Sequence, residues 1–384
     1  MTAPDRPRPT LIERPEALAT LAQRLQGKPR VALDTEAASF HRYIDRVYLV
    51  QLSSDTETAL VDPLAVTDLA PVGALLADPA VEKIFHDADY DLRILDRDYG
   101  FHGKRLWDTK VAAQLSGETA FGLGALLEKF FGIRLSKKLQ RADWSQRPLT
   151  PEMIAYAAAD TAHLPELRDL LERRLRELSR LAWAEEEFRR LEGVRWSGPG
   201  DGEGHLQLKG ARTLRPRERA VLRALWEWRE RVAESLDRAP FRVAGNDVLV
   251  ALARAAPRTP AALAAAPLMP PTVARRYEGD LLEAIAAGLA IPEQDLPRPE
   301  RRPRYKPDPE ADVRFQRLRE LRAKRAPEVG LDPGLILPNW AMQEIARLAP
   351  RTPEELDAIP EIRRWQREVV GDREMLAAVG RVDG

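Results

Sequence analysis

Asp34 and Glu36 stand two residues apart in the run Val31-Ala-Leu-Asp34-Thr-Glu36. The run reads as a strand, and alternate strand side chains share a face, so both carboxylates project one way and Thr35 the other. Two anions held that close repel each other unless a cation lies between them. A solvated strand face is the ordinary home of an isolated Asp-x-Glu. Here Val31, Ala32 and Leu33 lead into the pair as a buried central strand would, which leaves charges at the end of a core element, where they need compensation. Two further acidic groups have comparable settings. Phe85-His-Asp-Ala-Asp-Tyr-Asp91 passes from a short strand into a helix with Asp87, Asp89 and Asp91 at the junction, and Tyr156 and Asp160 lie four apart on one face of a helix begun at Pro151. Taken singly these are weak, because acids suit a helix N-terminus. The sequence contains no cysteine, so any metal chemistry must use oxygen or histidine.

The elements that must position these residues are legible around them. Val31 to Glu36 and Val47 to Ser53 read as strands, with Thr58 to Val61 and Lys83 to His86 as shorter ones. Pro15 to Gln26, Asp68 to Leu76, Tyr90 to Tyr99, Thr109 to Leu115 and Leu123 to Phe131 show helical spacing, which makes an α/β domain. From Pro151 the pattern is almost wholly helical, with Leu164, Leu167, Leu171, Leu175 and Leu178 as one apolar stripe leading towards Phe188. Ser197 to Gly204 reads as a linker. The whole chain has 384 residues, 44% of them hydrophobic, enough for two or three domains. Sixty basic and sixty acidic residues balance, so affinity for a polyanion must be regional. The polar, proline-punctuated start does not read as a signal peptide, and no apolar run would span a bilayer, so a cytoplasmic protein without membrane contact is expected.

In order and spacing, Asp34-Thr-Glu36, Asp91 and Tyr156-x-x-x-Asp160 resemble the three exonuclease motifs of the ribonuclease D family, in the Tyr subclass of the DEDD 3′–5′ exonucleases. Ser39-Phe-His-Arg-Tyr43, Gln51-Leu-Ser53, Trp107-Asp-Thr109 and the stretch Leu139 to Leu149 add to the likeness, which spans about the first two hundred residues. The resemblance implies a ribonuclease H-like, mixed-sheet exonuclease domain over 1–204. It implies two divalent ions, Mg²⁺ or Mn²⁺, which suit carboxylate oxygens. Asp34, Glu36 and Asp160 would share one ion, Asp34 would bridge to the second, Asp91 would help hold that second ion, and Tyr156 would orient the attacking water. Asp91 is taken over Asp87 and Asp89 because the family's second-motif acid directly precedes a leucine. Expected substrates are RNAs with a free 3′ end, transfer-RNA precursors among them, cut to nucleoside 5′-monophosphates by a monomeric enzyme.

Other residues are open between two roles. Phe40, His41 and Tyr43 either stack on or bond to a terminal nucleotide or simply pack. Trp144 and Arg147 are either structural or phosphate contacts. His86 reads more readily as a packed strand-end histidine than as a metal ligand, and with Thr35 it is kept as a candidate substrate contact. Single-stranded DNA is an alternative substrate, and a silent nucleic-acid-binding scaffold is the alternative to an enzyme. Retention of all five motif residues argues against silence.

The second half of the chain repeats itself. Ala253 to Pro260 and Ala346 to Pro353 match at seven of eight positions with an offset of 93, which also aligns Arg229 with Arg322 and Asn246 with Asn339. Each copy resembles an HRDC domain, a small all-α module, over 205–296 and, more divergently, 310–384, with a proline- and arginine-rich linker at 297–309. Residues 206–231 carry eight Lys or Arg against three acids, and 297–326 carry eleven against five. Such basic segments suit a grip on RNA phosphates outside an acidic pocket.

Overall fold

The computed structural model describes residues 8–198, 204–266, 268–296, 308–360 and 362–380. Most of the expected 297–309 linker, and 199–203 of the earlier one, lie outside the described residues. Six strands among the described residues form one sheet: β1 (Thr10–Ile12), β2 (Arg30–Ala37), β3 (Val47–Ser53), β4 (Thr58–Val61), β5 (Glu82–Phe85) and β6 (Leu106–Asp108). Their order is β1-β4-β3-β2-β5-β6. β3 runs antiparallel to both neighbours while β1–β4, β2–β5 and β5–β6 pair in parallel, so the sheet is mixed.

The alternation of β2 divides the core. Val31 and Leu33 pack with α1 (Pro15–Gln26), α2 (Ala70–Ala77) and α3 (Asp89–Tyr99) on one face. Ala32 turns to the other, against α4 (Thr109–Leu115), α5 (Leu123–Phe131), α7 (Leu164–Glu177) and α8 (Leu181–Leu191). On that same side α6 (Pro151–Ala162) lies over Leu49 and Leu60. With both faces covered, all seven residues of β3 are buried, which explains its unbroken apolar look. Proline in the first turn starts α1 and α6, and the Thr150 hydroxyl caps α6 by accepting from the Met153 N–H. Left-handed glycines at 100 and 132 stop α3 and α5.

Two expectations change. Leu164, Leu167, Leu171 and Leu175 form the buried stripe of α7, but Leu178 is 44% exposed, because the chain turns at Ser179 and α8 starts afresh at Leu181. Strands β1 and β6, three residues each, are too short to show a period in the sequence.

The helical copies are α9 (Pro216–Ser235) to α14 (Glu278–Ala290), with α10 (Pro240–Val243), α11 (Asn246–Ala255), α12 (Pro260–Ala264) and α13 (Pro271–Arg276) between, and α15 (Pro309–Val329) to α20 (Asp372–Val379), with α16 (Pro333–Ile336), α17 (Asn339–Leu348), α18 (Pro353–Asp357) and α19 (Arg364–Val370) between. The sequence offset is a structural one. Arg229 donates to the Asn246 side chain at 2.6 Å, and Arg322 donates to Asn339 at 2.9 Å. Ala256 and Ala349 both end their helices in the left-handed conformation, and Thr259 and Thr352 both cap the next. Arg229 is therefore a buried strut, not a surface cation.

Candidate active site

β2 delivers Asp34 and Glu36 to the face that α6 covers, and Asp160 in the last turn of α6 meets them there. One oxygen from each of the three carboxylates lies within 4.8 Å of the other two. Tyr156, one turn earlier, hydrogen-bonds Asp160, and its ring rests on the buried Trp144 with centroids 5.9 Å apart.

Asp91 lies in the opposite layer, outside that group of three oxygens but near enough for its charge to act on Asp34. Thr35, the alternate residue of β2, turns towards α3 and donates its hydroxyl to Asp91. The neighbouring acids have different tasks: Asp87 pairs with Lys110 and Asp89 with Arg93, both at the surface. A residue not singled out by sequence, Asp108, secures this corner. Its buried carboxylate accepts the backbone N–H groups of Asp87, Ala88, Lys110 and Val111, tying the turn that feeds α3 to the start of α4. The turn needs that anchor because Asp87 has a left-handed φ of 70°, uncommon for a residue with a side chain. Its place in Trp107-Asp-Thr109 was the available signal.

The cluster is electrostatically unfavourable as a set of bare anions. Burial, then the charges of Asp91, Asp160 and Glu36, push Asp34 well above the usual carboxylate range, and burial with Asp160 and Asp91 does the same to Glu36. Burial raises Asp91 to about 7 although the Thr35 hydroxyl and N–H pull the other way, and it raises Asp160 to about 7 against the Tyr156 hydrogen bond. The Tyr156 phenol is pushed up by burial and by the Asp160, Glu36 and Asp34 charges, so it keeps its proton.

The remaining candidates divide. Arg147 spends its donors internally, on both oxygens of Asp62 and on the carbonyls of Tyr48, Trp144 and Gln146, so it is structural. Trp144, 1% exposed, is the floor beneath Tyr156. His86 is held neutral by burial, its pKa lowered to about 4, with Nδ1 on the Thr109 hydroxyl. It lies outside the carboxylate triad. Phe40, His41 and Tyr43 sit against the first helical copy: Phe40 meets Phe241 edge-on at 6.1 Å, the Ala239 N–H donates to the His41 carbonyl, and Tyr43 joins the core around Leu225. Phe40 keeps an exposed ring, 41% accessible.

The basic segments are thinner than their composition suggests. Within 206–231, Arg217 and Arg219 hold backbone carbonyls, Arg223 pairs with Glu227 and Arg229 is buried. Lys209, Arg212, Arg215 and Arg231 remain exposed. In the second segment Arg314 and Arg322 likewise brace their own copy, and residues 297–307 lie outside the described residues.

Comparison with known proteins agrees with this fold. The 3′–5′ exonuclease family matches residues 9–176, and the HRDC domain family matches 218–285 and 311–379. Ribonuclease D of Gluconacetobacter diazotrophicus is 34% identical over 379 residues, covering 98% of this chain and 94% of its own. Its Escherichia coli counterpart is 31% identical over 291 residues, 75% and 77% of the two chains. The crystal structure of E. coli RNase D, described as an exoribonuclease involved in structured RNA processing, superposes with a TM-score of 0.73 at 26% identity, over 96% of this chain and 98% of that one.

Proposed function

The chain belongs to the ribonuclease D family, and we propose that its 3′–5′ exoribonuclease activity depends on two divalent cations, Mg²⁺ or Mn²⁺, held by Asp34, Glu36, Asp91 and Asp160. The observation that carries this reading is the triad of carboxylate oxygens within 4.8 Å of one another. An all-oxygen donor set suits a hard cation, and the raised pKa values of the acids mark charge that a cation would neutralise. When bound, such ions supply the charge that makes water nucleophilic at neutral pH and steadies the leaving oxygen.

The chain's own residues do the rest. Asp34, central among the acids, is the proposed shared ligand of both ions, with Glu36 and Asp160 on one and Asp91 on the other. Thr35 fixes Asp91. Tyr156 donates its O–H hydrogen bond to Asp160, so its oxygen lone pairs are left to accept from the attacking water and orient it. A phenol this reluctant to ionise is no general base. Phe40, on the loop that follows Glu36, offers an exposed ring for a terminal base.

Structured RNAs, transfer-RNA precursors among them, are the proposed substrates, supported by the description of the E. coli relative. We assign residues 1–204 to the nuclease domain, 205–296 and 310–384 to the HRDC copies, and 297–309 to their connector. A cytoplasmic monomer is the proposed state; among the described residues no helix is long and apolar enough to cross a membrane. Chromatography of the products from RNA with a free 3′-hydroxyl or a 3′-phosphate tests the reading. Nucleoside 5′-monophosphates released from the free end, with slower release from the blocked one, are expected. Internal fragments or 3′-monophosphates would overturn it.

A further inference from the structure

Gln51 is fully buried in β3, and neither its amide nitrogen nor its amide oxygen has a hydrogen-bond partner. A buried, unpaired amide costs free energy, so its retention calls for a partner that the folded chain alone does not supply. The sheet narrows the choice of partner. Gln51 pairs with Asp34 across β2 and with Leu60 across β4. Directly opposed residues of an antiparallel pair share a face, with Cβ atoms about 4.5–5.5 Å apart. Along its own strand the same face holds Leu49, which is apolar, and Ser53, whose hydroxyl already bonds Thr58 and Thr161. Above lies α6, which presents Ala157 and Ala158 to this layer and bonds to Ser53 through Thr161. Of the two residues directly opposite Gln51 in the sheet, Leu60 is apolar, which leaves the Asp34 carboxylate as the acceptor.

We propose that Gln51 is a positioning residue for the catalytic cluster: its amide N–H donates to the Asp34 carboxylate when that carboxylate carries cations, and so fixes the orientation of the shared ligand. A neutral donor suits this position. It stabilises the ionised carboxylate without competing for the cation, as Lys or Arg would. The inference rests on the proposed metal site and extends it by one residue.

The test is a calorimetric titration of full-length protein with Mn²⁺, beside thermal unfolding of the same samples in EDTA. Gln51→Met keeps the length and removes both polar atoms. The metal-free variant is expected to unfold at or above the parental temperature, because an unpaired buried amide has gone, while Mn²⁺ affinity falls about 10- to 100-fold, the range for lost partners of metal ligands. Turnover on single-stranded RNA should fall with KM little changed. Parental Mn²⁺ affinity in a folded Gln51→Met protein would overturn the proposal. If that variant does not fold, Gln51→Asn, whose amide stops one methylene short, replaces it, and parental affinity there overturns the proposal equally. A parent that binds no Mn²⁺ would contradict the metal site itself, a result distinct from either.

Discussion

Asp34 carries conflicting demands: burial and three neighbouring acids oppose its ionisation, yet the proposed chemistry needs it ionised. Removing its charge should help the fold while harming function. Between about pH 5 and 7.5 the folded metal-free chain keeps protons on Asp91 and Asp160 that the unfolded chain has released. The folded state then binds more protons, so its stability falls as pH rises through that window. Asp34, itself pushed well above the carboxylate range, adds to that loss in the parent alone, so in EDTA Asp34→Asn should melt above the parent, by a margin that widens from pH 5 to 7.5. Thermal scans of both proteins across that range check this, and a margin that shrinks would contradict the charge-repulsion account. Tyr156→Phe separates orientation from metal binding. Its rate should fall roughly 10²-fold, the lower end of what positioned groups contribute, with Mn²⁺ affinity nearly unchanged; loss of Mn²⁺ binding in calorimetry would mean the tyrosine has the wrong role. A strand period and a helix turn are local rules, and they pair Asp34 with Glu36 and Tyr156 with Asp160; the choice of Asp91 and the joining of all five into one site rest on the resemblance to the ribonuclease D motifs. Gln51 was visible only as part of Gln-Leu-Ser, since its position opposite Asp34 depends on strand register.

Elements place these side chains through a few anchors. α3 is aimed by Asp108, which gathers four backbone N–H groups from two separate turns. Asp108→Ala should cost about 3 kcal/mol, within the range for hydrogen bonds to a buried charge and the donors left behind. Chemical denaturation measures that loss, and activity should fall further than stability alone explains, because Asp91 rides on the same turn. A variant that loses stability but keeps parental turnover on the folded fraction would contradict the link. Most helices of the nuclease domain were legible from apolar period and proline starts, with several ends matching the structure to the residue. β1 and β6 were not, because a three-residue strand owes its existence to the neighbour it pairs with, and no local pattern records that neighbour. The same holds for Leu178, which continues the spacing of α7 after the backbone has already turned away.

At the scale of the whole molecule, the two HRDC copies share a scaffold but grip the nuclease domain differently. The first holds the loop after Glu36: Asp237 accepts from Arg42 and from the Tyr43 N–H, and Arg242 donates to the Phe40 carbonyl. The second clasps α8, where Glu186 accepts the Arg364 and Trp365 N–H groups, Glu187 accepts from the Trp365 indole, and Trp183 stacks on Trp365 at 5.5 Å. These contacts join residues nearly 180 apart in the chain, beyond any sequence pattern. Their extent changes what truncation should do. A chain ending at 204 keeps every motif acid but bares Trp183 and α8, so it should melt below the full chain; Trp365→Ala should cost about 3–5 kcal/mol. With many arginines committed internally, the salt dependence of RNA binding should also lose only a shallow slope on truncation, about 0.7–0.9 for each phosphate contact removed. Melting at the full-length temperature would show that the clasp does not brace the nuclease domain. The central claim, that the carboxylate cluster is a metal-dependent 3′–5′ exoribonuclease centre, is met most directly by one assay. RNA labelled at its 5′ end is incubated with the parent and with Asp34→Asn, in Mg²⁺, Mn²⁺ or EDTA. The parent with either metal should give a ladder shortening from the 3′ end, while EDTA or Asp34→Asn should slow it by several orders of magnitude; undiminished shortening in EDTA or by Asp34→Asn would contradict the account.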